Sequence, residues 1–215
     1  MYSSLVLAAW RGREAPAVRL IELGIRDATP RGEGRGLSWV DYATALLRNG
    51  LGDYDAAFAA ADAACAHDDL GLVAWAMVEL VEAAARSDRL DAAATSVERL
   101  AERTRASGTD WALGIEARSR ALLSDGPAAD ALYQEAIERL GRSRIAVHLA
   151  RAHLFYGEWL RRQQRRVDAR EHLRAAHDMF LRFGAEAFAE RANRELQATG
   201  ETVRKRTVEV RGVLT

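Results

Sequence analysis

The sequence predicts an all-α fold, a solenoid of about five helical hairpins that ends in a capping helix. Ala, Leu, Arg and Glu dominate the 215 residues, and no stretch alternates apolar and polar residues long enough to indicate a strand. The three prolines, Pro16, Pro30 and Pro127, all fall at expected helix boundaries. A repeat with a period of 36 residues indicates that similar helical units are stacked along the chain.

Alanine and tryptophan mark this repeat. Each marker alanine follows a marker tryptophan by 18 residues and stands just after a helix-start signal such as Gly52-Asp53. Four and seven positions after each alanine the residues are mostly apolar, which places them on one face of a helix. Small residues on that face let a partner helix approach closely. The alanines are Ala57, Ala93 and Ala129, and the tryptophans are Trp39, Trp75 and Trp111.

The helix-start and helix-stop signals set the expected elements in chain order. The first helices of the hairpins are predicted at residues 2–11, 38–51, 73–86, 110–123 and 145–163. The second helices are predicted at 15–28, 55–66, 90–106, 128–140 and 167–182, and the capping helix at 185–198. Residues 30–36, which contain three glycines, are the loosest linker. We therefore expect a repeat domain over residues 1–199 and a basic tether over residues 200–215.

Composition excludes several classes of protein. Lys and Arg total 31 and Asp and Glu total 31, so no overall field attracts nucleic acid or an anionic membrane. The single cysteine, Cys65, rules out an internal disulfide framework and is typical of a reducing compartment. No apolar stretch is long enough to predict a transmembrane helix. Heavy use of Arg and Ala suggests a GC-rich bacterial genome, and we expect a cytoplasmic chain.

Two stretches resemble the tetratricopeptide repeat (TPR). The string GDYDAA at residues 52–57 resembles the turn between the two helices of that repeat, and Gly157 and Ala169 fall at its packing positions. The period is longer than the usual 34 or so residues, so these are degenerate, TPR-like units. The positions expected to pack helices against each other are Ala57, Ala93, Ala129, Gly157 and Ala169.

The last third of the chain resembles a more specific family. The strings YGEWLRR, AREHLRAA, FGA and AERA, which begin at residues 156, 169, 183 and 189, resemble the helical arm of large ATP-binding (LAL-type) transcriptional regulators of the LuxR family. In that family residues 199–207 look like the tether, and Leu214-Thr215 looks like the entry to the DNA-binding helix-turn-helix. The resemblance implies a parent protein with an ATPase module, a helical arm and a C-terminal DNA reader, of which this chain carries the arm.

Neither the ATPase nor the DNA reader is expected within these residues. A phosphate-binding loop needs a glycine-rich turn before a lysine, and the only lysine, Lys205, has none. No helix-turn-helix follows Thr215, so DNA would be bound only through a domain outside this sequence. We therefore expect no cofactor in this chain, with ATP bound only in the parent's other module. No catalytic motif is present, which predicts that the chain is not an enzyme.

The histidines predict no metal site on a single helix. The pairs His148/His153 and His172/His177 are five residues apart, whereas two ligands on one helix face require a spacing of three or four. A site between adjacent helices is the alternative. Cys65 lies beside acidic residues, which favours an unreactive thiol over a redox sensor.

The marker tryptophans have two interpretations. They could pack the repeats together, or they could line a concave groove for a partner peptide or a small effector. In the second interpretation the neighbouring positions on the first helices join them. The groove would then comprise Trp39, Tyr42, Trp75, Val78, Glu82, Trp111 and Arg118.

The sequence thus predicts a signal-input and protein-interaction arm of a LuxR-family regulator. Its partners would be an effector or protein of unspecified identity and the neighbouring domains of the parent, with no membrane, and self-association is a further alternative. The competing hypothesis is a stand-alone TPR-type scaffold without a link to transcription.

Overall fold

A computed structural model, which describes residues 2–66 and 71–201, confirms the all-α fold. Those residues form eleven α-helices and no strand. Residues 202–215, which include most of the expected tether, and His67 lie outside the described residues. The helices are α1 (Tyr2–Arg11), α2 (Glu14–Ala28), α3 (Gly34–Leu51), α4 (Tyr54–Cys65), α5 (Val73–Arg86), α6 (Leu90–Ser107), α7 (Asp110–Ala121), α8 (Gly126–Arg142), α9 (Ala146–Arg162), α10 (Arg166–Phe183) and α11 (Glu186–Ala198).

The helices form two layers, as in a solenoid. Each odd-numbered helix packs against the next odd-numbered helix, which makes an inner layer, and the even-numbered helices cover it from outside. An outer helix buries a single stripe, such as Ala169, Leu173, Ala176 and Phe180 in α10. An inner helix is buried on most of its surface, since α5 buries every residue from Ala76 to Ala84. Inner helices are buried on more of their surface than outer helices because they have packed helices on more sides.

Small residues lie where inner and outer helices touch. The four alanines predicted at packing positions, Ala57, Ala93, Ala129 and Ala169, are all fully buried. A Cβ atom added to Gly157 of α9 would lie 2.6 Å from Cγ of Leu173 in α10. The repeat therefore specifies points of close helix approach.

One boundary differs clearly from its prediction. Helix α3 begins at Gly34 instead of residue 38, so three of the seven residues of the expected linker over residues 30–36 are helical. Gly36 in its first turn lies against the Tyr2 side chain, whose hydroxyl donates a 2.5 Å hydrogen bond to Glu33. These contacts with α1 stabilise the first turn of α3, which glycine's low helix propensity disfavours.

The layers curl until the last helix meets the first hairpin. A Cβ atom added to Gly12, after α1, would lie 2.4 Å from Cβ of Ala187 in α11. The rings of Trp10 and Phe188 lie 5.6 Å apart, and Phe188 also contacts Gly50 of α3. The inner face therefore encloses a packed interior. None of the helices in the described part of the chain is long and apolar enough to cross a membrane.

Replacement of Ala93 by leucine tests the packing register. Ala93 is fully buried between helices, so Ala93→Leu should overpack the contact and lower the free energy of unfolding by about 1–3 kcal/mol. The neighbouring Ala94 is exposed, and Ala94→Leu should change stability by less than about 0.5 kcal/mol. Urea unfolding of both variants makes the comparison, and equal stabilities would contradict this register.

Candidate functional site

A cluster of charged side chains fills the interior where the inner helices meet. Helix α5 contributes Glu79, Glu82 and Arg86 from an otherwise mostly apolar sequence. Both glutamates are 1% exposed, because the curled inner layer covers the face of α5 that carries them. A buried charge is tolerated only when it is paired and hydrogen-bonded, so these acids require partners from other helices.

Arg151 of α9 is the first partner. Its guanidinium donates hydrogen bonds of 2.6 and 2.9 Å to the two carboxylate oxygens of Glu79 and a further bond to Glu82. Asn49 of α3 donates from Nδ2 to a Glu79 carboxylate oxygen at 2.9 Å. Arg151 is completely buried, so it joins α9 to α5 through a pair that water does not screen.

Arg191 of α11 is the second partner. It donates to Glu82 at 2.6 Å and to both carboxylate oxygens of Glu158 in α9, at 2.7 and 3.0 Å. Arg86 of α5 also donates to Glu158. Three inner helices that are distant in sequence are thereby joined in one network.

The surrounding arginines keep the Glu82 and Glu158 carboxylates ionised. Burial opposes the charged form of Glu82, but Arg151, Arg191 and Arg86 outweigh that effect and lower its pKa to about 2. For Glu158 burial is again the opposing effect, and Arg191 and Arg86 lower its pKa. The network is therefore held by charge-assisted bonds at every pH near neutrality.

One phenylalanine ring lies among the arginines of this cluster. The guanidinium carbons of four arginines lie 5.1–5.7 Å from the centre of the Phe155 ring. An aromatic face attracts a cation within about this distance, and the attraction is larger where water is excluded. Phe155 is therefore the common neighbour of the cluster. The four arginines are Arg86, Arg118, Arg151 and Arg191.

Positive charge exceeds negative charge in this cluster. Three of the four arginines pair with three glutamates, and Arg118 of α7 is left without a carboxylate. It is 1% exposed, and within residues 2–66 and 71–201 its one hydrogen bond, at 3.3 Å, goes to the backbone carbonyl of His148. Burial and then the charge of Arg151 lower the pKa of Arg118 to about 9, so it remains charged at neutral pH.

Aromatic side chains surround His148 at the edge of the interior. Its imidazole lies 6.0 Å from the Trp10 ring and 5.8 Å from each of the Trp75 and Trp111 rings. His148 is buried, whereas the three indoles are partly exposed. Burial lowers the pKa of His148 well below its usual value, so the ring is neutral.

The predicted groove residues separate into two groups. Trp39, Trp75 and Trp111 are partly exposed, and Trp75 and Trp111 contact each other at 5.2 Å, but Trp39 contacts Tyr2 and Tyr42 instead. The other four residues are at most 6% exposed. Three of them lie in the packed interior instead of on an open groove, and Val78 lines a small cavity with Trp111 between α5, α6 and α7. These four are Tyr42, Val78, Glu82 and Arg118.

The sequence did not predict most members of the charged cluster. Glu79, Arg151, Glu158 and Arg191 are far apart in sequence, and only the curled inner layer brings them together. One signal was present, since α5 carries two glutamates within a run that is otherwise apolar over residues 76–84. Charges at such positions indicate a buried partner.

A histidine pair links α9 to α10. The Nδ1 atoms of His153 and His172 lie 2.9 Å apart and their ring centres 5.1 Å apart. The ring centres are farther apart than the Nδ1 atoms by about twice the distance from an imidazole centre to its nitrogen. Each Nδ1 therefore points at the other. The contact suits one shared proton between two neutral rings. Across the described ranges no group of three or more His, Cys, Asp or Glu side chains is arranged to hold a metal ion.

Cys65 is buried at the end of α4. Burial raises the pKa of its thiol to about 11, so the thiol is protonated at neutral pH. A protonated thiol is a poor nucleophile.

Arg151→Met tests the charged cluster. The change leaves Glu79 and Glu82 buried without their main cation, so the free energy of unfolding should fall by about 3–5 kcal/mol. Arg89 pairs with Asp55 on the surface, and Arg89→Met should cost less than about 1 kcal/mol. Urea unfolding at one ionic strength compares them, and a similar small loss in both variants would refute the importance of the buried pair.

The buried His148 and the partly buried His153 and His172 predict that acid destabilises the fold. Burial, and then His172, lowers the pKa of His153 from 6.5 to about 4, and burial also lowers the pKa values of His172 and His148. The unfolded chain therefore binds more protons below pH 6.5, and the stability present above that pH falls as the pH drops towards 4. His153 alone should contribute a loss of about 2 kcal/mol between pH 7.5 and pH 5.0.

Urea unfolding of the native chain and of His153→Gln at these two pH values measures the effect. The variant should lose less stability than the native chain on acidification. An identical loss in both would show that His153 does not titrate as stated.

Comparison with known proteins assigns no family to this arrangement. No family model matches the sequence, and neither a curated protein nor a solved structure matches the chain.

Proposed function

We propose that the chain is the TPR-like helical arm of a LuxR-family transcriptional regulator. In this role it binds an effector or a partner protein, and this binding changes the activity of a DNA-binding domain beyond the tether. The resemblance of about residues 145–215 to such arms supports the proposal, and its described part contains α9, α10 and α11. The observation that carries it is the attachment of the tether's first residues to α10.

Two arginines of α10 make this attachment. Arg170 donates to the hydroxyl oxygen of Thr199 at 3.0 Å and to its carbonyl oxygen at 2.7 Å. Arg174 donates to the two carboxylate oxygens of Glu201 at 2.8 and 2.7 Å. The chain beyond α11 therefore starts from a fixed position on the outer layer.

Helix α11 joins this attachment to the interior. Arg191 near its middle belongs to the buried charged cluster, and Thr199 at its end is 1% exposed. A ligand that favours one arrangement of the inner helices would change the position of α11 and hence of the tether. The output would follow from a shift between two arrangements, with a coupling free energy of about 1–3 kcal/mol.

The gene beyond codon 215 provides the first test. A helix-turn-helix of the LuxR type encoded in the same reading frame is the expected result. A stop codon would overturn the proposal and favour a stand-alone TPR-type scaffold.

Uncoupling the tether provides the functional test in the full-length regulator. The double variant Arg170→Ala/Arg174→Ala should reduce effector-dependent transcription by about fivefold or more, because the arm would no longer position the tether. A reporter gene measures the response, and the thermal midpoint of unfolding checks that the arm is folded. Arg166→Ala, an exposed change on the same helix, is the control. A double variant that regulates like the control would contradict the coupling role.

A further inference from the structure

We propose that Arg118, His148 and Trp111 bind a small carboxylate at the edge of the charged interior. The first observation is the charge count. Four arginines, of which Arg86 is partly exposed, face three buried glutamates, and among the described residues Arg118 is the one of the four that pairs with no carboxylate. An additional anion would complete the pairing that the other three arginines already have.

The second observation is a surplus of hydrogen-bond donors. Among the described residues, Nη2 of Arg118, Nε1 of Trp111 and both ring nitrogens of His148 are buried without a hydrogen-bond partner. These residues contact one another, through the Arg118 bond to the His148 carbonyl and through the Trp111 and His148 rings. Neutral imidazole supplies one donor, so the three side chains together offer three unpaired donor nitrogens. A carboxylate, which only accepts hydrogen bonds, has the complementary chemistry.

The neighbouring rings indicate the kind of molecule that carries the carboxylate. Trp75 and Trp111 contact each other at 5.2 Å, are both partly exposed and each lie 5.8 Å from the His148 ring, so partly exposed indole surface borders the buried imidazole. A flat apolar body would stack on these indoles while its carboxylate reaches Arg118. The site therefore suits a small aromatic carboxylate, and benzoate is the simplest probe of that class.

The nearby acids do not already provide this partner. Both carboxylate oxygens of Glu79 accept bonds from Arg151, and those of Glu82 accept from Arg151 and Arg191. Diverting either glutamate to Arg118 would break a buried pair. An external anion satisfies Arg118 without that loss.

The site joins two inner helices, since Arg118 and Trp111 lie on α7 and His148 lies on α9. An anion held between them adds a negative charge beside the cluster that contains Arg191 of α11. If the proposed function holds, such a carboxylate is the effector. Binding itself does not depend on that role and is measured on the chain of residues 1–215.

Titration of the chain with sodium benzoate, followed by tryptophan fluorescence and by the thermal midpoint of unfolding, tests the site. Benzamide has nearly the same shape without the charge and is the matched ligand control, at fixed ionic strength. We expect a saturable change with benzoate and none with benzamide. The absence of a saturable response to benzoate would overturn the proposal.

Substitutions locate the site. Arg118→Gln should weaken benzoate binding about tenfold or more, since hydrogen bonds to charged groups are lost. Trp111→Phe, which keeps an aromatic ring and removes one N–H donor, should weaken it severalfold and serves if the first variant does not fold. Arg144→Gln changes an exposed arginine and should leave the affinity unchanged. Equal affinity in all four proteins would overturn the site even if benzoate binds.

The two proposals fail separately. A stop codon after codon 215 with benzoate binding intact would remove the regulator and keep the site. A helix-turn-helix without benzoate binding would keep the regulator and remove this site.

Discussion

The arrangement of the inner helices depends on three glutamates that cannot be buried alone. An isolated ionised carboxylate in a protein interior costs far more free energy than a domain's whole stability provides. Glu79, Glu82 and Glu158 therefore require cations within hydrogen-bond distance, and these come from α5, α9 and α11. Because α5 and α11 are separated by about a hundred residues, the pairing is possible only when the solenoid curls back on itself. The same condition brings Phe188 against Gly50 and Trp10.

Such a cluster contributes more to specificity than to stability. Hydrophobic residues of the same volume often stabilise an interior as well as or better than buried ion pairs do. An apolar inner layer would, however, tolerate several degrees of curling, whereas each bidentate pair has one geometry. The Phe155 ring adds a second restriction, since four guanidiniums must approach it at once. We infer that the cluster restricts the range of curvature that the inner layer can adopt.

Local sequence patterns predicted the helices but not the closure. The period of 36 residues and the turn signals placed most boundaries within one or two residues of those observed, because they report contacts between neighbouring helices. The start of α3 was placed late, since glycine's low propensity concealed the contacts of Gly36 with Tyr2. Closure joins residues more than a hundred positions apart, and no periodic pattern encodes that distance. For this reason Glu82 is predicted on a groove but is buried, since its partner Arg191 lies 109 positions away. Tyr42, Val78 and Arg118, predicted on the same groove, are also at most 6% exposed.

The closure also explains how one buried charge can affect the whole arm. In an open solenoid each repeat contacts only its neighbours, so the effect of a structural change in one repeat decreases with distance along the array. Here Arg151 and Arg191 make α5, α9 and α11 neighbours, and Coulomb interactions act over longer distances in a medium of low dielectric constant. An anion beside Arg118 would lower the local excess of positive charge on the arginines that share Phe155. Arg191 on α11 is one of these arginines, and Thr199 at the end of that helix is fixed by Arg170. The proposed ligand would then act on Arg191 through electrostatic interaction, and α11 would carry the effect to Thr199 as a rigid helix.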